Sequence, residues 1–539
     1  MRLKRPNISS TLMALILSLY FTLFLNLTLF RDVLEVFSNL ENYNIFFLLS
    51  IPVTFIAAFN ILFLPFTIKY IEKPFFIVLL VSAAMVDYAM FNYGTIFDKD
   101  MIDNFAKTNV AEASSYFNGV VILWVGLTGV LPALLLLFAR IHHPGVVKDF
   151  LYKGGSFLVS VIVILIIAAF FYKDYSSVIR NNKILRKEVN PTYYVAGVYK
   201  YVRNTYFSKP QEYQYIGLDA QKLPREKNDL LVFVVGETAR SMNYSLNGYE
   251  RDTNKYTENI KNLTYFKNVT SCGTATAVSL PCMFSLMGKN HYSKSAFNYQ
   301  DNLTDILKRA DIGQLWFENN SGSQDVTKRI DIISSPKTKS EFCNGLTCTD
   351  DYLTAHLQEE IDKLKQNDNI IYLHVIGSHG PTYFERYPKD HEVFTPVCAK
   401  SDIQNCTDEE IANTYDNTIL FTDYIVSQVI EILKKNQDRY NVSMIYMSDH
   451  GESLGESGVY LHGLPYAIAP SEQTHVPLMT WFSDDTLKAK KIDLACLRDE
   501  AKTDKYSHDN LAHTLLGFMD VKTSAYKADM DILGKCRHS

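Results

Sequence analysis

Cysteine is missing from the first 271 residues of this 539-residue chain. All eight cysteines follow, at Cys272, Cys282, Cys343, Cys348, Cys398, Cys406, Cys496 and Cys536. None stands in Cys-x-x-Cys spacing, so the zinc-ribbon pattern is absent. An even number, mostly in close sequential pairs, points to disulfides and an oxidising compartment for the second half. A long basic run is also missing, and the net charge is only −5. Nucleic acid is therefore not an expected partner. The chain is too long for one hydrophobic core, and its halves differ in character.

The first half is rich in uncharged runs long enough to cross a ~30 Å hydrocarbon core as helices. They predict membrane spans at about 8–30, 43–68, 74–91, 118–139 and 154–172, within a transmembrane domain over 1–175. The third run contains Asp87, which the pattern puts at the outer, interfacial end of its helix. The first run lacks a small-residue cleavage site, and more spans follow, so it reads as a retained helix. Arg2, Lys4, Arg5, Lys69, Lys73, Arg140, Lys148 and Lys153 fall on one side of these spans. Only Arg31, Lys99 and Lys107 fall on the other. The positive-inside rule then puts the N-terminus in the cytoplasm and everything after Lys173 outside. Residues 176–228 read as a linker with an interfacial helix, the tyrosine-rich stretch Pro191–Tyr206.

From 229 to 539 short apolar runs alternate with helical patterns. Strands are expected at Leu230–Val235, Tyr265–Val269, Gly313–Phe317, Ile370–Ile376, Ser443–Met447 and Leu478–Phe482. Helices are expected at Asp301–Ala310, Asp350–Lys365, Glu409–Lys435 and His508–Met519. This alternation predicts an α/β domain with a mostly parallel sheet between helices. Such sheets bind ligands beyond the carboxyl ends of their strands. Four of the runs end in polar residues: Gly236-Glu237-Thr238, Glu318-Asn319-Asn320, Gly377-Ser378-His379-Gly380 and Ser448-Asp449-His450-Gly451. One shared site is the simplest explanation.

Glu237, Asp449 and His450 are ligand types that zinc accepts, and His379 and His462 are further candidates. Taken singly, each is as readily a turn former or a hydrogen-bonding core residue. The segment from Thr270 to Ser279 offers several hydroxyls just before a helix-like stretch. A hydroxyl at a helix N-terminus suits phosphate chemistry if a metal or base lowers its pKa. The local residues do not choose between Thr274 and Thr276.

The runs Val234–Arg240, Asn247–Thr253, Thr270–Ser285, Gly377–Pro381, Ser448–Gly455 and Tyr460–Gly463 closely resemble the lipid A phosphoethanolamine transferases, a group that includes the mobilised colistin resistance enzymes. The likeness covers essentially the whole chain. It implies an alkaline-phosphatase/sulfatase-like fold for a periplasmic catalytic domain over 229–539, below five spans in a Gram-negative inner membrane. It implies one tightly held Zn2+ at Glu237, Thr276, Asp449 and His450, with Thr276 as nucleophile. His379 and His462 match positions facing a second zinc or the substrate, and Asn320 and Ser321 match headgroup contacts. The implied disulfides are 272–282, 343–348 and 398–406, with Cys496 and Cys536 as a fourth pair. Gln324 departs from a relative's lysine, which bears on a charged substrate contact and not on the metal positions. His475 has no carried-over role and reads as local structure.

The implied reaction moves phosphoethanolamine from phosphatidylethanolamine to a lipid A phosphate through a phosphorylated Thr276, conferring polymyxin and colistin resistance. The expected partners are donor lipid, lipid A and membrane lipid, with the chain acting as a monomer. The alternatives are transfer to a lipopolysaccharide core sugar and a glycerol-phosphate transferase of the lipoteichoic acid synthase type. A sulfatase activity would need a Cys-x-Pro-x-Arg site, which Cys282-Met283-Phe284-Ser285-Leu286 does not supply.

Overall fold

A computed structural model describes residues 7–40, 43–99, 101–102, 119–207, 212–336, 338–345, 347–400 and 403–538. The chain forms two compact units, Met1–Pro210 and Gln211–Ser539. Arg2, Lys4, Arg5 and Lys107 of the charge pattern, and residue 118 of the fourth expected span, lie outside the described residues.

The first unit is helical: α1 (Ser10–Phe24), α2 (Leu27–Ser38), α3 (Ile45–Phe63), α4 (Glu72–Tyr93), α5 (Gly119–Val125), α6 (Leu131–Phe138), α7 (Val146–Asn181) and α8 (Thr192–Val202). A π turn over Gly126–Val130 joins α5 to α6. There the backbone passes close to α4: a Cβ on Gly129 would lie 2.8 Å from the Ala84 Cβ. Small residues permit such close helix contacts within a bilayer. Among the described residues, four helical stretches are long and apolar enough to cross a membrane: Ile45–Phe66, Glu72–Asn92, Gly119–Phe138 and Val146–Asn181. A fifth span exists only if α1 and α2, bent by 56°, count as one.

That bend corrects the straight helix expected over 8–30. Asn26 sits at the break and donates to the Phe21 carbonyl at 2.9 Å and to the Asn190 carbonyl at 2.6 Å. Asn190 answers through its backbone N–H to Asn26 Oδ1 and through its side chain to the Leu25 and Ala83 carbonyls. Side chains thus take up backbone groups that a broken helix leaves open, as an apolar medium requires. Asp87 is corrected as well. It is fully buried, and its Oδ1 accepts from the Leu27 N–H at 3.2 Å, at the first residue of α2. A carboxylate complements the partial positive charge of a helix start. Arg31, counted above as a loop charge, lies within α2.

The second unit is built on seven strands: β1 (Asp229–Gly236), β2 (Leu263–Phe266), β3 (Gly313–Glu318), β4 (Asp331–Ser334), β5 (Asn369–His374), β6 (Asn441–Ser448) and β7 (Leu478–Phe482). Their order is β2-β7-β6-β1-β5-β3-β4. The run from β6 to β4 is parallel, and β7 is antiparallel to both neighbours. The helices include α9 (Thr276–Met283), α10 (Leu303–Arg309), α11 (Asp351–Asp362), α12 (Asp408–Lys434) and α13 (Leu511–Phe518). β1, β5 and β6 are buried along their whole length, as continuous apolar strands of a covered parallel sheet should be. β4 is a short, mostly exposed edge without alternation, and no pattern of residues announced it. The expected strand over Tyr265–Val269 ends at Phe266, and Val269–Thr270 pairs separately. The helix expected from His508 opens with a 3-10 turn over His508–Asn510.

Register aligns the strand ends. Gly236 lies opposite Ser448, and His374 lies opposite both Val235 and Glu318. The residues that follow β1, β3, β5 and β6 therefore emerge at one edge. At the other end of the sheet, buried Lys490 pairs with Asp229 and Asp520. Arg225 adds two hydrogen bonds to Asp520, at 2.9 and 2.6 Å. Four disulfides tie the unit: Cys272–Cys282, Cys343–Cys348, Cys398–Cys406 and Cys496–Cys536.

Two outcomes are expected. Cys496–Cys536 spans 40 residues and Cys343–Cys348 only 5. Replacing the longer pair with serines should cost about 4 kcal/mol of stability and the shorter about 2 kcal/mol, on loop-closure entropy. Denaturant titrations of both double variants check the ranking. Asp520 concerns acid stability. Burial opposes its charge, but Arg225 and Lys490 hold its pKa down to about 2 from 3.8. A depressed carboxylate pKa stabilises the fold above its unfolded value, and that stability is lost as pH falls through the folded one. Asp520→Asn should therefore flatten the loss of stability between about pH 4 and pH 2, read by thermal melts across that range.

Candidate active site and metal centre

Glu237 follows β1, Asp449 and His450 follow β6, and Thr276 opens α9. The structure brings these four together. The Thr276 hydroxyl lies 3.1 and 3.2 Å from the two Glu237 carboxylate oxygens and 3.3 Å from His450 Nε2. His450 Nε2 is 3.4 Å from Glu237 Oε1 and 3.5 Å from Asp449 Oδ2. Glu237, Asp449 and His450 are all sealed from solvent. Thr274 points elsewhere: its hydroxyl donates to the Leu464 carbonyl at 2.6 Å.

Asp449 is held through one oxygen and Glu237 through both. Asp449 Oδ1 accepts from the N–H groups of Thr238 and His450, at 3.1 and 2.7 Å. Glu237 accepts from the Thr238 hydroxyl at 2.6 Å and from the Asn320 amide at 2.7 Å. The left-handed backbone at Gly377 lets the end of β5 pass within reach of Glu237; a Cβ there would meet the Glu237 carbonyl at 2.7 Å. His450 Nδ1 bonds the Gly451 carbonyl at 2.9 Å, which leaves Nε2 for the centre. Asp449 Oδ2 is buried without a hydrogen-bond partner. Such an atom calls for a cation.

The electrostatics agree. Burial, then the neighbouring Glu237 carboxylate, pushes Asp449 up to about 7. Burial works against a charged His450, yet Asp449 and Glu237 raise it to about 9. Glu237, despite complete burial, is held well below its usual value by His450. A place that binds a proton this strongly wants positive charge. Its donors are carboxylate, imidazole and hydroxyl, a set that fits zinc, and the ligand atoms of Glu237, Asp449 and His450 lie within 4.8 Å of one another.

His379 and His462 flank this centre. The His462 ring is 4.3 Å from that of His450 and 6.0 Å from that of His379. His462 Nδ1 donates to Glu452 Oε2 at 2.7 Å, and Glu452 Oε1 accepts from the Tyr383 hydroxyl at 3.0 Å. Burial lowers His379 to about 4, so its ring is neutral at ordinary pH. Asn320 gives its side-chain N–H groups to Glu237 and to the Val375 carbonyl. Ser321 is exposed beside it. At Gln324 the backbone carbonyl accepts from Lys294 Nζ at 2.7 Å. His475 bonds the Lys267 carbonyl at 2.6 Å, well within a local structural role.

Sequence reasoning named Glu318 only as a strand terminus and missed its buried partner His374, behind the centre. His374 Nδ1 lies 2.9 Å from Glu318 Oε2, which also accepts from Trp316 Nε1 at 2.7 Å. The Asn320 and Gly322 N–H groups bond the other Glu318 oxygen. The available signal was a histidine ending an otherwise apolar strand.

Residues 229–521 match the Sulfatase family model, and residues 55–206 match the model described as Phosphoethanolamine transferase EptA/EptB. The chain is 40% identical over 542 aligned residues to phosphoethanolamine transferase EptA of Escherichia coli K12, covering 99% of this chain and 98% of that one. It is 35% identical to the phosphatidylethanolamine transferase Mcr-1 of Escherichia coli, over 97% of each chain. Among solved structures, it resembles the integral membrane lipooligosaccharide phosphoethanolamine transferase A of Neisseria meningitidis with a TM-score of 0.65 and 36% identity, covering 99% of this chain and 100% of that one. The second unit thus has the sulfatase-type fold, and the chain as a whole belongs to the EptA/EptB family of phosphoethanolamine transferases.

Proposed function

We propose that the enzyme transfers phosphoethanolamine from phosphatidylethanolamine to a lipid A phosphate through a covalent intermediate on Thr276, and so confers resistance to polymyxins such as colistin. The observation that carries this reading is the Thr276 hydroxyl, 3.1–3.3 Å from Glu237 and His450, while Thr274 is turned away to Leu464. Glu237, Thr276, Asp449 and His450 would hold one zinc ion. When bound, zinc lowers the pKa of the hydroxyl and offsets charge on the phosphoryl oxygens.

The Thr276 oxygen attacks phosphorus and diacylglycerol leaves. A lipid A phosphate oxygen then attacks the phosphothreonine, and Thr276 is regenerated. The covalent stage lets two bulky lipids visit one site in turn. Neutral His379 and the Glu452-oriented His462 support the reading as groups that hold the headgroup and carry protons to and from the leaving and attacking oxygens. Asn320 acts here by bracing Glu237 and presents its loop, with Ser321, to the headgroup. The apolar helices of the first unit keep the enzyme in the bilayer that supplies both lipids, in this reading the inner membrane, with the catalytic unit in the periplasm. The added amine weakens the attraction of cationic peptides for lipid A.

Mass spectrometry after incubation with phosphatidylethanolamine should find the adduct on Thr276; an adduct on Thr274 or Ser279 would falsify the assignment. Thr276→Ala should keep zinc and fold while losing transfer by a factor of about 10³ or more. Asp449→Asn, or chelation, should remove zinc and activity together, read by metal analysis alongside the lipid assay. Mass analysis of extracted lipopolysaccharide should place the new group on lipid A. Modification confined to the core sugar would move the acceptor and leave the threonine chemistry intact.

A further inference from the structure

His508 is sealed from solvent and belongs to none of the groups discussed so far. It begins the 3-10 turn before α13. The preceding residues, Tyr506 and Ser507, pair in parallel with Val269 and Thr270, which brings the ring beside the start of the hydroxyl-bearing loop. The turn is itself fixed. The Asn510 side chain accepts from the Ser507 N–H at 2.9 Å, and the Ser507 hydroxyl accepts from the Asp509 N–H at 3.3 Å.

Both ring nitrogens are committed to backbone. The Cys272 N–H donates to His508 Nδ1 at 3.1 Å, and His508 Nε2 lies 2.9 Å from the Ser448 carbonyl. An amide N–H can only donate and a carbonyl can only accept. The ring is therefore the neutral tautomer with its proton on Nε2. Burial pushes its pKa down to about 4, which favours the same form. Neither nitrogen is left over for a metal or a substrate.

The two backbone partners are what give this arrangement meaning. Cys272 opens the disulfide-closed loop that contains Thr276. Ser448 immediately precedes Asp449 and His450. A second link runs parallel to the first: the Ser279 hydroxyl, 3.4 Å from His508 Nδ1, accepts from the Gly273 N–H at 3.2 Å and donates to the Asp449 carbonyl. One imidazole thus links the loop that carries Thr276 to the strand end that carries Asp449 and His450.

We propose that His508 is a positioning residue for the transfer, its ring setting the distance between the Thr276 loop and the strand end that carries Asp449 and His450. The inference rests on Thr276 being the nucleophile. A displaced nucleophile loses the near-attack geometry, and a shift of about 1 Å costs on the order of 100-fold in rate. The carboxylate and imidazole ligands sit on the sheet and do not depend on this tie for holding metal.

The test uses the full-length chain in detergent with zinc. His508→Leu removes both bonds, His508→Asn keeps an acceptor near Nδ1, and His508→Gln keeps a donor near Nε2. Zinc stoichiometry, the donor-lipid KM, kcat and the single-turnover rate of adduct formation on Thr276 are measured for each. The expected result for His508→Leu is a 10- to 100-fold fall in kcat and adduct rate per zinc-loaded molecule, with KM and zinc within twofold of wild type. His508→Asn and His508→Gln should each recover part of the rate. A His508→Leu rate within twofold of wild type overturns the inference, as does a loss of zinc that accounts for the whole loss of rate. If His508→Leu does not fold, the other two decide: wild-type adduct rates in both overturn it, and a loss in either, with zinc retained, upholds it. If the wild-type chain forms no adduct on Thr276, the nucleophile assignment fails first and this inference falls with it.

Discussion

Two carboxylates buried at the ends of adjacent strands repel each other, and nothing in an apolar interior relieves that repulsion except positive charge. Glu237 and Asp449 are in this position. Their backbone and side-chain donors satisfy part of each group and leave Asp449 Oδ2 unanswered. The raised proton affinity of His450 is the same imbalance seen from the other side. Much of the surrounding architecture follows from supporting this concentration of charge: the fully buried central strands, the matched register, the Asn320 brace and the Glu318–His374 pair behind it. In the proposed reaction, a cation drawn to this centre would lower the pKa of the hydroxyl beside it.

Family membership adds the nature of the group transferred. At the strand ends of this sulfatase-type fold, Thr276 opens a short helix beside Glu237 and His450, with His379 and His462 at the rim. The helical unit serves a different physical end. Its long, apolar and largely unburied α7 and its broken first helix suit a solvent without hydrogen bonds.

Local periodicity revealed much of this and hid some of it for identifiable reasons. The central strands were readable because burial on both faces makes them continuous apolar runs. The polar termini of those strands were readable because they interrupt such runs abruptly. β4 was invisible because an exposed edge has no pattern to show. The break after α1 was invisible because it is stabilised from 164 residues away, by Asn190. Asp87 looked interfacial because its partner, the first N–H of α2, exists only once that break forms. The ambiguity between Thr274 and Thr276 had a similar cause: the carbonyl that occupies Thr274 is 190 residues distant. His374 was overlooked because a histidine within an apolar strand carries no sign of its partners, and His508 because it stands in a polar turn whose partners are distant in the chain.

The disulfide between Cys272 and Cys282 encloses Thr276 and no other member of the centre. Glu237, Asp449 and His450 are set by pairing between strands more than 200 residues apart in the chain. The site therefore has two supports. Its charged part depends on distant segments condensed into a sheet. Its hydroxyl is held locally, inside a covalent closure between residues ten apart that only an oxidising compartment provides. Catalytic competence is in this sense a record of both folding and address.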